Sequence, residues 1–152
     1  MTSPLVSAAE LRDRRAAADP RLLVIDASFD LSDTQAGERG HAAARIPGAL
    51  YLHLDRDLSA ARTGLSGRHP LPSREAFAAR MAELGAQPDS AIVAYDGSGG
   101  MYAARLWWML RWAGHADVRL LDGGMAAWRA LGGAIESGPV AARGAGGFSP
   151  RA

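Results

Sequence analysis

The chain contains neither cysteine nor lysine. The first absence excludes disulfides, cysteine-ligated zinc, iron–sulfur clusters and any thiol nucleophile. The second excludes a lysine Schiff base and a phosphate-loop lysine. All 17 basic residues are arginine and nearly balance 16 acidic ones, leaving a formal charge of +1. That balance supplies no electrostatic footprint for nucleic acid or an anionic membrane, so neither is expected as a partner. No run approaches the ~20 apolar residues of a membrane span. The start, Met1-Thr2-Ser3-Pro4-Leu5-Val6-Ser7, has no basic segment ahead of an apolar core, so no signal peptide is expected and cytoplasm is the default location.

What is present has the ordinary balance of a soluble domain, with 48% apolar and 22% charged residues. The length of 152 residues fits one domain. A chain of this size buries roughly 70% of the surface its unfolded form exposes, so it needs no covalent staples.

Three short apolar runs, Leu22–Ile25, Ala91–Tyr95 and Val118–Leu121, each stop at an aspartate: Asp26, Asp96 and Asp122. Runs this short, apolar on both faces, suit the buried strands of a parallel sheet. Ala49–Leu52, after the turn Ile46-Pro47-Gly48, is a fourth candidate. Helical segments alternate with them. Ser7 opens a helix to about Ala18 with capping-box spacing to Glu10. Ser73 caps a second helix that Gly85 ends. A third runs from about Gly100 to Ala113, and a fourth from about Gly124 to Leu131. The order α-β-β-α-β-α-β-α predicts an α/β domain, a parallel sheet flanked by helices on both faces. The stretch from Asp55 to Pro72 reads as a long excursion packed over one end of the sheet, and Gly138–Ala152 as a linker or loose tail.

Ligands of an open α/β sheet bind beyond the carboxyl ends of its strands. After Ala91–Tyr95 comes Asp96-Gly97-Ser98-Gly99-Gly100, then a helix. Such a turn presents free backbone N–H groups and the positive end of a helix dipole, a cradle for an anion. The same glycines equally serve a plain chain reversal, and they make neither a dinucleotide fingerprint nor a phosphate loop. Asp96 at its mouth would take the N–H groups for itself and repel an incoming anion. The helix Met101–Trp112 is apolar nearly all round, which predicts burial on several sides. Arg105 interrupts it and is expected to need an acidic partner. None of His41, His53, His69 and His115 shows metal-ligand spacing, so no metal and no cofactor is expected. His69 stands out on a proline-framed loop, with Asp55 as a carboxylate able to orient it. A hydrogen-bonded surface histidine remains the other reading of that pair.

The ordered set of these pieces resembles the rhodanese superfamily, specifically the N-terminal half of two-domain thiosulfate and 3-mercaptopyruvate sulfurtransferases. The residues that carry it are Leu22-Leu23-Val24-Ile25-Asp26, Ala44-Arg45-Ile46-Pro47-Gly48-Ala49, Gly67-Arg68-His69-Pro70-Leu71-Pro72, Val93-Ala94-Tyr95-Asp96-Gly97, Arg105-Leu106-Trp107-Trp108-Met109-Leu110-Arg111, Gly114-His115, and Leu121-Asp122-Gly123-Gly124 with Trp128. The family often has a histidine before the Ile-Pro-Gly-Ala turn and an aromatic upstream; here those places hold Arg45 and His41.

The resemblance implies a single rhodanese-like domain over residues 1–137, of the cysteine-less N-terminal type, followed by a linker or tail over 138–152. In catalytic domains of the family a cysteine opens the strand-to-helix loop and carries sulfur as a persulfide. Here that position is Asp96, which implies a pseudo-active loop over Asp96, Gly97, Ser98, Gly99 and Gly100. In mercaptopyruvate sulfurtransferases the N-terminal domain lends an Asp and a His to a Ser in the second domain's catalytic loop, and Asp55 and His69 hold the matching places. Arg105 is implied as a structural or interdomain residue. The expected partner is a C-terminal catalytic rhodanese domain carrying a cysteine loop. The chain alone is expected to be inactive. Two alternatives stay open: a free-standing inactive rhodanese-like module for binding or regulation, and an enzyme using Asp96 as nucleophile.

Overall fold

The computed structural model describes residues 3–63 and 67–151, so the middle of the 55–72 excursion, with Ser66, lies outside the described residues. Ten elements follow one another: β1 (Leu5–Val6), α1 (Ala8–Ala16), β2 (Leu22–Asp26), α2 (Ala36–Ala43), β3 (Leu50–Tyr51), α3 (Arg74–Leu84), β4 (Ala91–Tyr95), α4 (Met101–Trp112), β5 (Val118–Leu121) and α5 (Gly124–Ala130). The strands form one parallel sheet in the order β1-β5-β4-β2-β3. The α/β class, the parallel sheet and the helices on both faces are as expected from the sequence. No helix of the described residues is long and apolar enough to cross a membrane.

Residues of β2 and β4 alternate between two cores. Leu23, Ile25, Ile92 and Ala94 face one layer with Phe77 and Met81 of α3 and Leu106, Met109 and Leu110 of α4. Leu22, Val24, Val93 and Tyr95 face the other, with Leu11 of α1 and Trp128 of α5. Strands covered on both faces have no polar side, which is why they read as unbroken apolar runs. The helix starts follow their caps. The Ser7 side chain accepts the N–H of Glu10 at 3.0 Å, and that of Ser73 the N–H of Ala76 at 3.0 Å. Gly85 ends α3 in the left-handed conformation, with φ 111°.

Two elements are additional to the expected order. β1 has two residues, too few to show a period, and pairs with β5 at the sheet edge. α2 holds Gly37 and Gly40 within eight residues and has no side-chain cap, so its local propensity is poor.

The stretch from residue 138 is not loose. Phe148 is buried in the α3–α4 core. The N–H groups of Gly146, Phe148 and Arg151 donate to the carbonyls of Ala82, Ala86 and Ala113 at 2.7, 3.1 and 2.8 Å. Arg143 donates to the Leu22 carbonyl at 2.7 Å. The segment straps the ends of α3 and α4 at the face where the strands begin. A Cβ on Gly146 would stand 2.1 Å from the Ala86 carbonyl oxygen, so the glycine permits the close approach that the sequence suggested was looseness.

α4 also departs from the expectation of burial all round. Tyr102, Ala103, Leu106, Met109 and Leu110 are buried, whereas Met101 is 60% and Trp108 46% exposed. Trp108 stacks on Trp112, their ring centroids 5.6 Å apart.

Candidate functional site

The turn between β4 and α4 is a ring of backbone donors closed on one carboxylate. Gly99 and Gly100 adopt positive φ of 83° and 96°, which turns the chain into the helix. Asp96 is buried. Its Oδ1 accepts the N–H groups of Ser98 and Gly100, each at 2.8 Å. Its Oδ2 accepts those of Tyr102 and Ala103, each at 2.9 Å. Both oxygens are therefore engaged by donors that would otherwise face an anion. The loop is held from a second side by α5. The Asp96 carbonyl accepts the Met125 N–H at 3.3 Å. A Cβ on Gly124 would lie 2.6 Å from the same oxygen.

A similar turn follows β2. Asp26 Oδ1 accepts the Ser28 N–H at 2.8 Å, and Ser28 Oγ accepts the Gly97 N–H at 3.1 Å. Asp26 is buried, and burial above all pushes its carboxyl up from the usual carboxylate range, with the neighbouring Asp96 charge adding to the push. The sequence marks both places in the same way, as Asp-Ala-Ser and Asp-Gly-Ser at a strand end. Asp-x-Ser is the pattern of a side chain accepting the N–H two residues on, and it was the available signal for Ser28.

The structure brings Asp55 and His69 together. Asp55 Oδ1 is 2.9 Å from His69 Nδ1, off the line of an aligned hydrogen bond. At that distance two facing lone pairs would repel, which favours a proton on Nδ1 and the lone pair on Nε2. Among the described residues Nε2 is buried and has no hydrogen-bond partner. The Phe29 ring lies edge-on to His69 at 6.3 Å, to His53 at 5.2 Å and to Tyr102 at 5.6 Å. One aromatic side chain thus links the Asp–His pair to the start of α4.

Arg105 does not have the acidic partner expected of it. Its Nη2 donates to the carbonyls of Leu58 at 2.9 Å and His69 at 3.0 Å. It makes no ion pair among the described residues. Burial lowers its proton affinity below the ordinary value, yet an arginine remains charged. Carbonyl oxygens satisfy part of its fork at lower cost than a buried carboxylate. The contact ties two points of the 55–72 excursion, Leu58 and His69, to α4.

Arg45, at the start of the Ile-Pro-Gly turn, is fully buried. Its Nε donates to Glu136 Oε1 at 2.8 Å, and Nη1 to the carbonyls of Gly138 at 2.6 Å and His41 at 3.2 Å. The guanidinium holds the Glu136 carboxyl below its usual range. His41, His53 and His115 are buried as well, each with Nε2 on a carbonyl, of Ala49, Thr34 and Ser90. Their role in the fold was not legible, because a carbonyl partner leaves no residue-type signal. A cleft of about 700 Å³ between Ser3, Pro4, Trp107 and Arg111 is lined by none of the candidate residues.

Residues 7–131 match the rhodanese-like domain family. The chain belongs to that family. This rhodanese-like domain is 44% identical over 144 residues to a Pseudomonas aeruginosa protein named "Probable 3-mercaptopyruvate sulfurtransferase", covering 93% of this chain and 50% of the relative. It is 42% identical over 135 residues to the Arabidopsis thaliana thiosulfate/3-mercaptopyruvate sulfurtransferase 2, covering 88% of this chain and 38% of that protein. The structure of 3-mercaptopyruvate sulfurtransferase from Leishmania major superposes with a TM-score of 0.84 at 28% identity, covering 96% of this chain and 40% of that one. The rhodanese-like domain spans about half the length of the bacterial relative and less of the plant one. It has no cysteine with which to form a persulfide.

Proposed function

We propose that this rhodanese-like domain is the N-terminal, non-catalytic half of a sulfurtransferase, with residues 138–152, docked on α3 and α4, leading on toward a second domain. Thiosulfate or 3-mercaptopyruvate is the sulfur donor in this reading. A C-terminal domain with a cysteine loop is the partner. The observation that carries it is the occupied cradle. Asp96 uses both carboxylate oxygens on four loop N–H groups, so the loop keeps its shape without a sulfur anion. A carboxylate cannot take up sulfur as a persulfide, and the repulsion at close range also disfavours an anionic donor. The names and lengths of the relatives support the donor class and the second domain.

Asp55 and His69 are the groups offered to the partner. Asp55 beside Nδ1 favours a proton there, which leaves the lone pair on Nε2, a buried atom that a partner's hydroxyl would have to reach. This is the arrangement by which a carboxylate-oriented histidine relays a proton from a serine.

The test compares sulfur transfer to cyanide by the chain alone and by the chain joined to a cysteine-bearing rhodanese domain, with each donor in turn. The chain alone is expected to be inactive. The joined protein is expected to turn over and to lose most of its rate in Asp55→Asn and His69→Gln. Turnover by the cysteine-free chain, or unchanged rates in both variants, overturns the reading.

A further inference from the structure

His53 forms the base on which Asp55 stands. It lies just past β3, after Leu52, and is buried. Its Nε2 is 2.8 Å from the Thr34 carbonyl oxygen. A carbonyl only accepts, so the ring proton sits on Nε2 and Nδ1 carries the lone pair. That lone pair receives two backbone donors, the N–H of Asp55 at 3.1 Å and of Arg56 at 3.2 Å.

The surrounding bonds leave this turn little freedom. The His53 N–H donates to Asp57 Oδ2 at 2.8 Å, and Asp57 Oδ1 in turn accepts Arg80 Nε at 2.8 Å. The His53 carbonyl accepts the N–H groups of Asp57 and Leu58 at 2.8 and 3.2 Å. Leu52, Leu54 and Leu58 anchor the same stretch in the core. Inside the turn, the imidazole spans from the Thr34 carbonyl to the amides of 55 and 56. A donor at one end and an acceptor at the other, on one rigid ring, is what neutral imidazole supplies.

We propose that His53, held as its Nε2–H tautomer, is the positioning residue that sets the Asp55 carboxylate against His69. This rests on the Asp55–His69 relay reading above and adds a member to it. His53 touches neither His69 nor any reacting atom in this account; it acts through the backbone of Asp55.

The experiment is a long-range proton–nitrogen correlation spectrum of the imidazole nitrogens in the whole chain at alkaline pH, where imidazoles are neutral. In the unmutated chain His53 is expected as Nε2–H and His69 as Nδ1–H. Finding His53 as Nδ1–H overturns the inference without any mutant. In His53→Leu the acceptor is gone and the Nδ1–H signature of His69 is expected to be lost. In His53→Asn the side-chain oxygen stands where Nδ1 stood, and the signature is expected to return. Loss of it in a folded Asn variant, or retention in a folded Leu variant, overturns the inference. Asp55→Asn separates the two readings. If it moves His69 and His53→Leu does not, the role of His53 fails alone. If it leaves His69 unmoved, the pairing itself fails and both go.

Discussion

Asp96 and Ala103 are seven residues apart in sequence, yet the Ala103 N–H donates to Asp96 Oδ2 at 2.9 Å. That bond and its companion from Tyr102 join the strand end to the first turn of α4. The other carboxylate oxygen closes the loop between them. Asp96→Ala therefore leaves four donors without an acceptor, those of Tyr102 and Ala103 in a buried place and those of Ser98 and Gly100 nearer the surface. The expected cost is about 3 kcal/mol or more, since each unsatisfied buried group costs about 1–3 kcal/mol and some regain water. Asp96→Asn keeps one accepting oxygen and is expected to fall between the two. Urea denaturation of the three proteins checks the order. Equal stability of the alanine variant and the unmutated chain would mean that the cradle is not held by this side chain.

Asp26 supplies a pH dependence with a definite sign. Burial raises its carboxyl above the usual range in the folded state, so folding favours the protonated form. The ionised form then costs stability as pH rises from the unfolded value toward the folded one, and the cost is complete above the latter. Asp26→Asn is neutral throughout and still presents an oxygen to the Ser28 N–H. Its gain in melting temperature over the unmutated chain is expected to be near zero at about pH 3.5 and largest at neutral pH. Melts of both proteins across that range decide it. A gain that shrinks with rising pH contradicts the assignment.

How much of this was legible before folding depended on whether a residue's surroundings leave a mark in its own neighbourhood. β2 and β4 are covered on both faces, and that coverage shows as an unbroken apolar run ending at Asp26 or Asp96. Ser7, Ser73 and Gly85 act on residues within one turn, so their spacing announces the helix ends. β1 owes its form to a partner far along the chain, and α2 to a close backbone approach just upstream of it. The Leu5–Leu120 pairing and the burial of Gly37 against the Ser28 carbonyl leave no local pattern. Asp55 and His69 were named from the sequence, but the bonds beside them, Arg105 to two carbonyls and His53 from two amides, were not. Main-chain partners have no residue type, and the expectation that Arg105 needed a carboxylate failed for that reason.

Arg105 offers a direct check on how the excursion is held. Its Nη2 bonds to Leu58 and His69 draw two points of one loop to α4. Arg105→Met keeps a similar apolar stem and removes both bonds. The loop between those points contains Arg62 and Arg68, both sites for trypsin. Cleavage there is expected to quicken several-fold in the variant, while cleavage elsewhere follows global stability. Limited proteolysis read by mass spectrometry distinguishes the two, and unchanged cleavage at Arg62 and Arg68 would show that the loop is held by other contacts.

Phe148 tests whether the segment after residue 138 is part of the folded domain. It packs in the core beside His115, with ring centroids 5.4 Å apart, and its N–H donates to Ala86 at 3.1 Å. Phe148→Ala is expected to destabilise the domain by about 3–5 kcal/mol, the range for a buried phenylalanine. In a domain of this size that lowers the melting temperature by roughly 6–20 °C. The same substitution in a tail that only passes over the surface would change it by a degree or two. A calorimetric scan separates these outcomes, and Gly146→Ala gives an independent reading. Its methyl group would meet the Ala86 carbonyl rather than remove a contact. Destabilisation in both variants is expected if the strap is docked, and in neither if it is not.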